Sequence, residues 1–130
     1  MLPRILLVLA CAAQWAMAAD ASWPEYLGGA SSDQFTSLKQ INKNNVKQLE
    51  VAWTYPVGEG GPYLFNPVVS DGVMYVLAKN NSIVALDAAT GKELWAHPNT
   101  GAVTTRGLNY WENKDRSDRR LVYLNAGGVG

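Results

Sequence analysis

Apolar and polar residues alternate in Leu49-Glu50-Val51-Ala52-Trp53-Thr54-Tyr55, where every odd position is large and apolar or aromatic. A period of two predicts a strand with one buried face. The next apolar runs are short and closely spaced: Asn66 to Ser70, Val73 to Ala78, Ser82 to Asp87 and Lys92 to His97. Asp71-Gly72, Asn80-Asn81 and Ala88-Ala89-Thr90-Gly91 separate them, and such residues tolerate the backbone angles of tight turns. The pattern predicts four antiparallel strands in a meander. Its middle strands, VMYVLA and SIVALD, are apolar on both faces, so the sheet needs cover on each side.

Radial repetition of four-stranded sheets supplies such cover, as in a β-propeller. A blade takes roughly 40 to 50 residues, and propellers typically hold about 4 to 8 blades. A chain of 130 residues supplies one or two. The expected fold is all-β, a partial β-propeller over residues 49–130, and the chain is expected to be a fragment or a truncated reading frame. The final Asn125-Ala126-Gly127-Gly128-Val129-Gly130 is glycine-rich and predicts a break in the strand pattern where a second blade would continue.

The first residues differ in kind. Arg4, the apolar run Ile5 to Ala13 and the small residues Ala16-Met17-Ala18 predict a cleavable signal peptide over residues 1–18. The run is shorter than the ~20 apolar residues of a membrane-spanning helix. Cys11, the only cysteine, lies inside it in Val8-Leu9-Ala10-Cys11, a weak likeness to a lipoprotein box. The mature chain then has no disulfide and no thiolate metal site. Residues 19–48 read as an extended lead-in with one short helix, in which Asn42 caps a turn carrying Ile41, Val46 and Leu49.

Composition narrows the partners. Apolar residues make up 48%, charged residues 17%, and the formal net charge is zero. Without Arg4, ten basic residues face eleven acidic ones. That balance argues against a nucleic-acid partner. The run Lys114 to Arg120 alternates in sign and reads as a solvated loop before a strand from Leu121 to Leu124. His97, the sole histidine, shares a strand face with Trp95 and reads as structural or exposed.

The turn in Ala85-Leu86-Asp87-Ala88-Ala89-Thr90-Gly91-Lys92-Glu93-Leu94-Trp95 is fully specified. Read alone, Trp95 is an ordinary core aromatic. The stretch resembles the tryptophan-docking pattern A-x-D-x-x-T-G-x-x-x-W of quinoprotein dehydrogenases at every specified position. The resemblance implies a structural docking motif of Ala85, Asp87, Thr90, Gly91 and Trp95 within an eight-bladed propeller. In that motif Trp95 would stack on Ala85 and on the glycine peptide of a neighbouring repeat, and Asp87, Thr90 and Gly91 would hold the turn. Ala leaves room for a ring, and Gly exposes a peptide plane.

Thr104-Thr105-Arg106-Gly107-Leu108-Asn109-Tyr110-Trp111 resembles the R-G-[LV]-x-Y segment of pyrroloquinoline quinone (PQQ) alcohol and sugar dehydrogenases. The resemblance implies that Arg106 binds the cofactor, whose carboxylates and ortho-quinone suit a planar guanidinium. Read alone, Arg106 is a surface arginine in a turn. Pro67, Asp71, Gly72 and Tyr75 also match the family, but Leu64 stands where it has a glutamate, and Glu59 would replace that glutamate only if its loop folded inward. The adjacent cysteines of the methanol-oxidising branch are missing, which favours the glucose-like or broader alcohol and sugar branch.

The resemblance implies oxidation of a sugar or alcohol in the periplasm by hydride transfer to PQQ. Electrons would pass to a cytochrome or a membrane quinone. A Ca²⁺ ion would act as Lewis acid, with its ligands and the catalytic base outside this chain, and the fragment alone would be inactive. Trp95→Ala in a full-length protein would cost ~3–5 kcal/mol. The alternative is a non-catalytic periplasmic propeller scaffold of the outer-membrane assembly type, which would carry the docking motif without the cofactor segment.

Overall fold

The computed structural model of the chain describes residues 22–58, 64–78, 81–99, 101–125 and the backbone of 128–129. The expected signal peptide, Glu59 and Asn80 lie outside the described residues. Strands β1 (Val68–Ser70), β2 (Val73–Ala78), β3 (Ser82–Asp87) and β4 (Glu93–His97) form one antiparallel sheet in the order β1-β2-β3-β4. This is the predicted meander. A second sheet contains β5 (Val103–Glu112), β6 (Arg119–Asn125) and β7 (Gly128–Val129) in chain order.

Both faces of the first sheet are covered, as its doubly apolar middle strands require. On one face Val76, Ala78, Val84 and Leu86 are buried, with Trp53, Tyr55, Phe65 and Met74 packed on them. On the other, Val68 and Ile83 meet Leu108 of the second sheet, with Tyr75, Leu77, Tyr110, Leu121 and Tyr123 around them. Leu108 is fully buried and so seals the contact between the sheets.

Four expectations change. Residues 49–55 form no strand: Leu49 and Val51 are exposed, while Trp53 and Tyr55 lie against the first sheet. The alternation there records which side chains meet the core, since Trp53 and Tyr55 pack on the sheet face while Leu49 and Val51 are left to water. The short helix is one 3-10 turn, Val46–Gln48, and its N-cap is Asn45, without a side-chain cap bond, in place of the expected Asn42. Asn42 closes the turn before it instead, its side-chain oxygen accepting from Asn44 N–H (2.9 Å) and its carbonyl from Val46 N–H (2.9 Å). Ile41, Val46 and Leu49 are all exposed, so no packing offsets the cost of nucleating a longer helix.

The third change is at the end of the chain, where Gly128 and Val129 pair with Asn125 and Leu124. The glycine-rich stretch therefore carries a strand. The fourth concerns the charged run, which is not merely solvated. Arg116 pairs with Asp71 of the β1–β2 turn and with Glu112 (3.1 Å), and Arg119 lies 3.8 Å from Asp71. These pairs join the hairpin of one sheet to the turn of the other, but remain open to water and contribute little each.

The lead-in is woven into the sheets. Trp23 exchanges two backbone hydrogen bonds with Val69, 2.7 and 2.9 Å, along the free edge of β1. The next carbonyl, of Pro24, accepts from Tyr110 N–H of β5 at 2.7 Å. One dipeptide thus satisfies edge groups of both sheets, which would otherwise be open to foreign strands.

Candidate functional site

Two places in this framework bear on function: the turn between β3 and β4, and a cleft where β5 begins. In the turn, Asp87 Oδ1 accepts from the N–H groups of Ala89 (3.1 Å) and Thr90 (2.8 Å) and from the Thr90 hydroxyl (2.8 Å). Thr90 Oγ1 in turn accepts from Lys92 N–H at 3.3 Å. Gly91 follows with φ 71°, in the left-handed region where glycine carries no penalty. Every polar residue of the motif thus has a bond to make.

The ring seated on this turn is Trp53. A Cβ added to Gly91 would lie 2.5 Å from Trp53 Cδ2, so the indole occupies the space that only glycine leaves. Its Nε1 donates to the Ala88 carbonyl at 3.1 Å. Trp95 pairs with Ala85 across the β3–β4 ladder, keeps 43% of its surface exposed, and lies 5.9 Å from the Tyr75 ring. Sequence reasoning missed Trp53. The signal was its alternation with Tyr55 ahead of the blade, read as strand pairing rather than as a ring delivered to a turn.

The Asp87 carboxyl is held below its ordinary value, first by the Thr90 hydroxyl and then by the Thr90 and Ala89 amides. A depressed folded-state value means that the turn's contribution to stability is complete above the unfolded pKa of 3.8 and is lost as pH falls through the lower folded value. Thr90→Val is expected to raise the Asp87 pKa toward 3.8, read by NMR titration of its side-chain carbonyl. An unmoved titration would mean that the hydroxyl is not what holds it down.

The cleft is built on a break in the β5–β6 ladder, whose register shifts between Val103 and Leu108. Arg106 and Gly107 lie inside that irregularity. Gly107 has φ 80°, and an added Cβ would sit 2.7 Å from the Asn66 carbonyl oxygen and 3.3 Å from the Phe65 ring. Asn66 Nδ2 donates to the Thr105 carbonyl at 3.0 Å. The segment before β1 is thereby pressed against the start of β5. Tyr26, Leu64, Phe65, Asn66, Thr105 and Arg106 line the resulting cleft, of about 430 Å³.

Arg106 is exposed there and makes no hydrogen bond or ion pair with another described residue. Leu64, at the position where a glutamate was expected, lines the same cleft and is 62% exposed. No acid is among the described residues of its wall. An unpaired guanidinium with an amide and aromatic rings around it suits a planar anionic ligand. His97 is exposed on β4 and is not among the described residues that line the cleft. Among the described residues no group of acids, histidines or cysteines could hold a metal ion.

Comparison with known proteins agrees with this geometry. A family model described as PQQ, glucose/ethanol/alcohol dehydrogenase, β-propeller domain, matches residues 23–128. The dehydrogenase subunit of the quinone-dependent alcohol dehydrogenase of Gluconobacter oxydans is 34% identical over 117 residues, covering 80% of this chain and 16% of that protein. The methanol dehydrogenase [cytochrome c] subunit 1 of Methylobacterium organophilum is 38% identical over 116 residues, covering 73% of this chain and 18% of its own length. The crystal structure of the quinohemoprotein alcohol dehydrogenase from Comamonas testosteroni superposes with a TM-score of 0.61 at 29% identity, over 82% of this chain and 18% of that one. The chain thus spans less than a fifth of the length of these relatives. With its sheets, its turn and its match over residues 23–128 taken together, it belongs to the PQQ-dependent glucose/ethanol/alcohol dehydrogenase β-propeller family.

Proposed function

We propose that this chain is the N-terminal part of a periplasmic PQQ-dependent dehydrogenase that oxidises an alcohol or a sugar hydroxyl, and that Arg106 binds the cofactor. The observation that carries this reading is the Arg106 guanidinium, unpaired among the described residues, in a cleft with no acid among its described wall residues, on a chain of the PQQ family. When bound, PQQ supplies an ortho-quinone able to take a hydride from the substrate carbinol carbon. The chain's own contribution is to hold and orient. Arg106 offers planar donors to a carboxylate or quinone oxygen, the Asn66 bond fixes the backbone on its amino side, and Gly107 lets that backbone turn.

Calcium ligands and the catalytic base are proposed to come from outside these residues, so residues 1–130 alone would not turn over. The acceptor would be a cytochrome or a membrane quinone; the Methylobacterium relative carries cytochrome c in its name. The test is dye-linked oxidation by the full-length protein, reconstituted with PQQ and Ca²⁺ and offered a panel of alcohols and sugars. Turnover is expected, and Arg106→Ala should weaken PQQ binding by at least about tenfold, the worth of a charge-assisted hydrogen bond. A full-length protein that binds no PQQ and reduces no dye would instead be a non-catalytic propeller.

A further inference from the structure

The lead-in, read from the sequence as an extended segment, returns to the cleft. Trp23 is fixed to β1 by two backbone bonds, and Pro24 to β5 by a third. The Trp23 ring also covers Gly28, where an added Cβ would meet it at 3.1 Å. Between these anchors the turn Tyr26–Gly28 is tightly determined, with Leu27 held at φ 64°, a conformation that an L-residue keeps only when its surroundings impose it. Tyr26 projects from this turn into the cleft wall that holds Arg106, and is 40% exposed. Three residues separate Arg106 from Tyr110, whose N–H donates to the Pro24 carbonyl, so one strand positions both sides.

We infer that Tyr26 is a ligand-binding residue of the Arg106 cleft, its ring forming an aromatic wall for the planar anion that Arg106 holds. The inference rests on the proposed PQQ reading of that cleft. An aromatic ring beside a guanidinium suits a flat, negatively charged heterocycle, because the ring contributes area and π contact while the cation takes the charge. The hydroxyl is not needed for this, so phenylalanine should substitute and alanine should not.

The experiment is titration of the full-length apoprotein with PQQ in the presence of Ca²⁺, followed by quenching of tryptophan fluorescence, with melting of each apoprotein recorded alongside. Tyr26→Ala is expected to weaken binding by about tenfold and Tyr26→Phe by less than about twofold, with apoprotein melting unchanged in both because the turn is anchored by Trp23 and Pro24. Unaltered affinity in Tyr26→Ala beside a weakened Arg106→Ala would overturn the role of Tyr26 and leave the cofactor reading standing. If Arg106→Ala also bound PQQ normally, the cofactor reading of the cleft would fall, and the role of Tyr26 with it. A loss in Tyr26→Phe equal to that in Tyr26→Ala would place the function in the hydroxyl and likewise overturn the aromatic wall.

Discussion

Trp53→Ala is expected to destabilise the protein by about 3 kcal/mol, the lower part of the range for deleting a large core aromatic. Trp53 lies outside every strand, but its ring packs on the cluster of Val76, Ala78, Val84 and Leu86 and fills the space over Gly91. Its indole N–H also satisfies the Ala88 carbonyl, which the substitution would leave to water. Gly91→Ala should act through the same contact, since a methyl 2.5 Å from Cδ2 displaces the ring. The two changes are therefore expected to be less than additive in a double-mutant cycle. Trp95→Ala in residues 1–130 should cost only about 1 kcal/mol, because much of its ring is already exposed there. Urea denaturation of the three variants decides the matter: equal losses at Trp53 and Trp95 would show that the turn does not distinguish the two rings.

Gly107→Ala is expected to combine a loss of about 2–5 kcal/mol with loss of the proposed cofactor cleft. The positive φ of 80° costs a side chain about 1–2 kcal/mol. Relieving a Cβ set 2.7 Å from the Asn66 carbonyl adds a packing penalty of about 1–3 kcal/mol. The obstacle is backbone, so it cannot swing aside as a side-chain tip would. Either β5 or the 64–67 segment must move, and both line the cleft. The variant should thus lose PQQ affinity out of proportion to its melting temperature. A variant of wild-type stability and affinity would mean that the two segments separate freely.

The meander was legible because each of its strands is bounded by residues with a local reason to turn, and because apolar residues on both faces of VMYVLA and SIVALD demanded cover. The segment around Arg106 was legible as a constrained one from Gly107 and Leu108, whose tight approach and burial the structure displays. What could not be read depends on contacts between segments distant in sequence. Nothing in the period of residues 49–55 says that Trp53 meets Gly91, and nothing in Lys114 to Arg120 names Asp71 as its partner. Tyr26 was equally silent, since its place depends on bonds made by Trp23 and Pro24 to residues of two different sheets.

Those bonds also fix an order of events. The Trp23–Val69 bridge can close once β1 exists, but the Pro24–Tyr110 bond must wait until β5 has been synthesised and paired. Contacts of such long sequence separation form slowly, because the loop entropy is lost before the contact repays it. The wall that carries Tyr26 therefore cannot be complete until β5 exists. On the proposed reading of the cleft, a cofactor that arrives before the amino-terminal segment has returned would find the guanidinium already in place and one side of its seat still open.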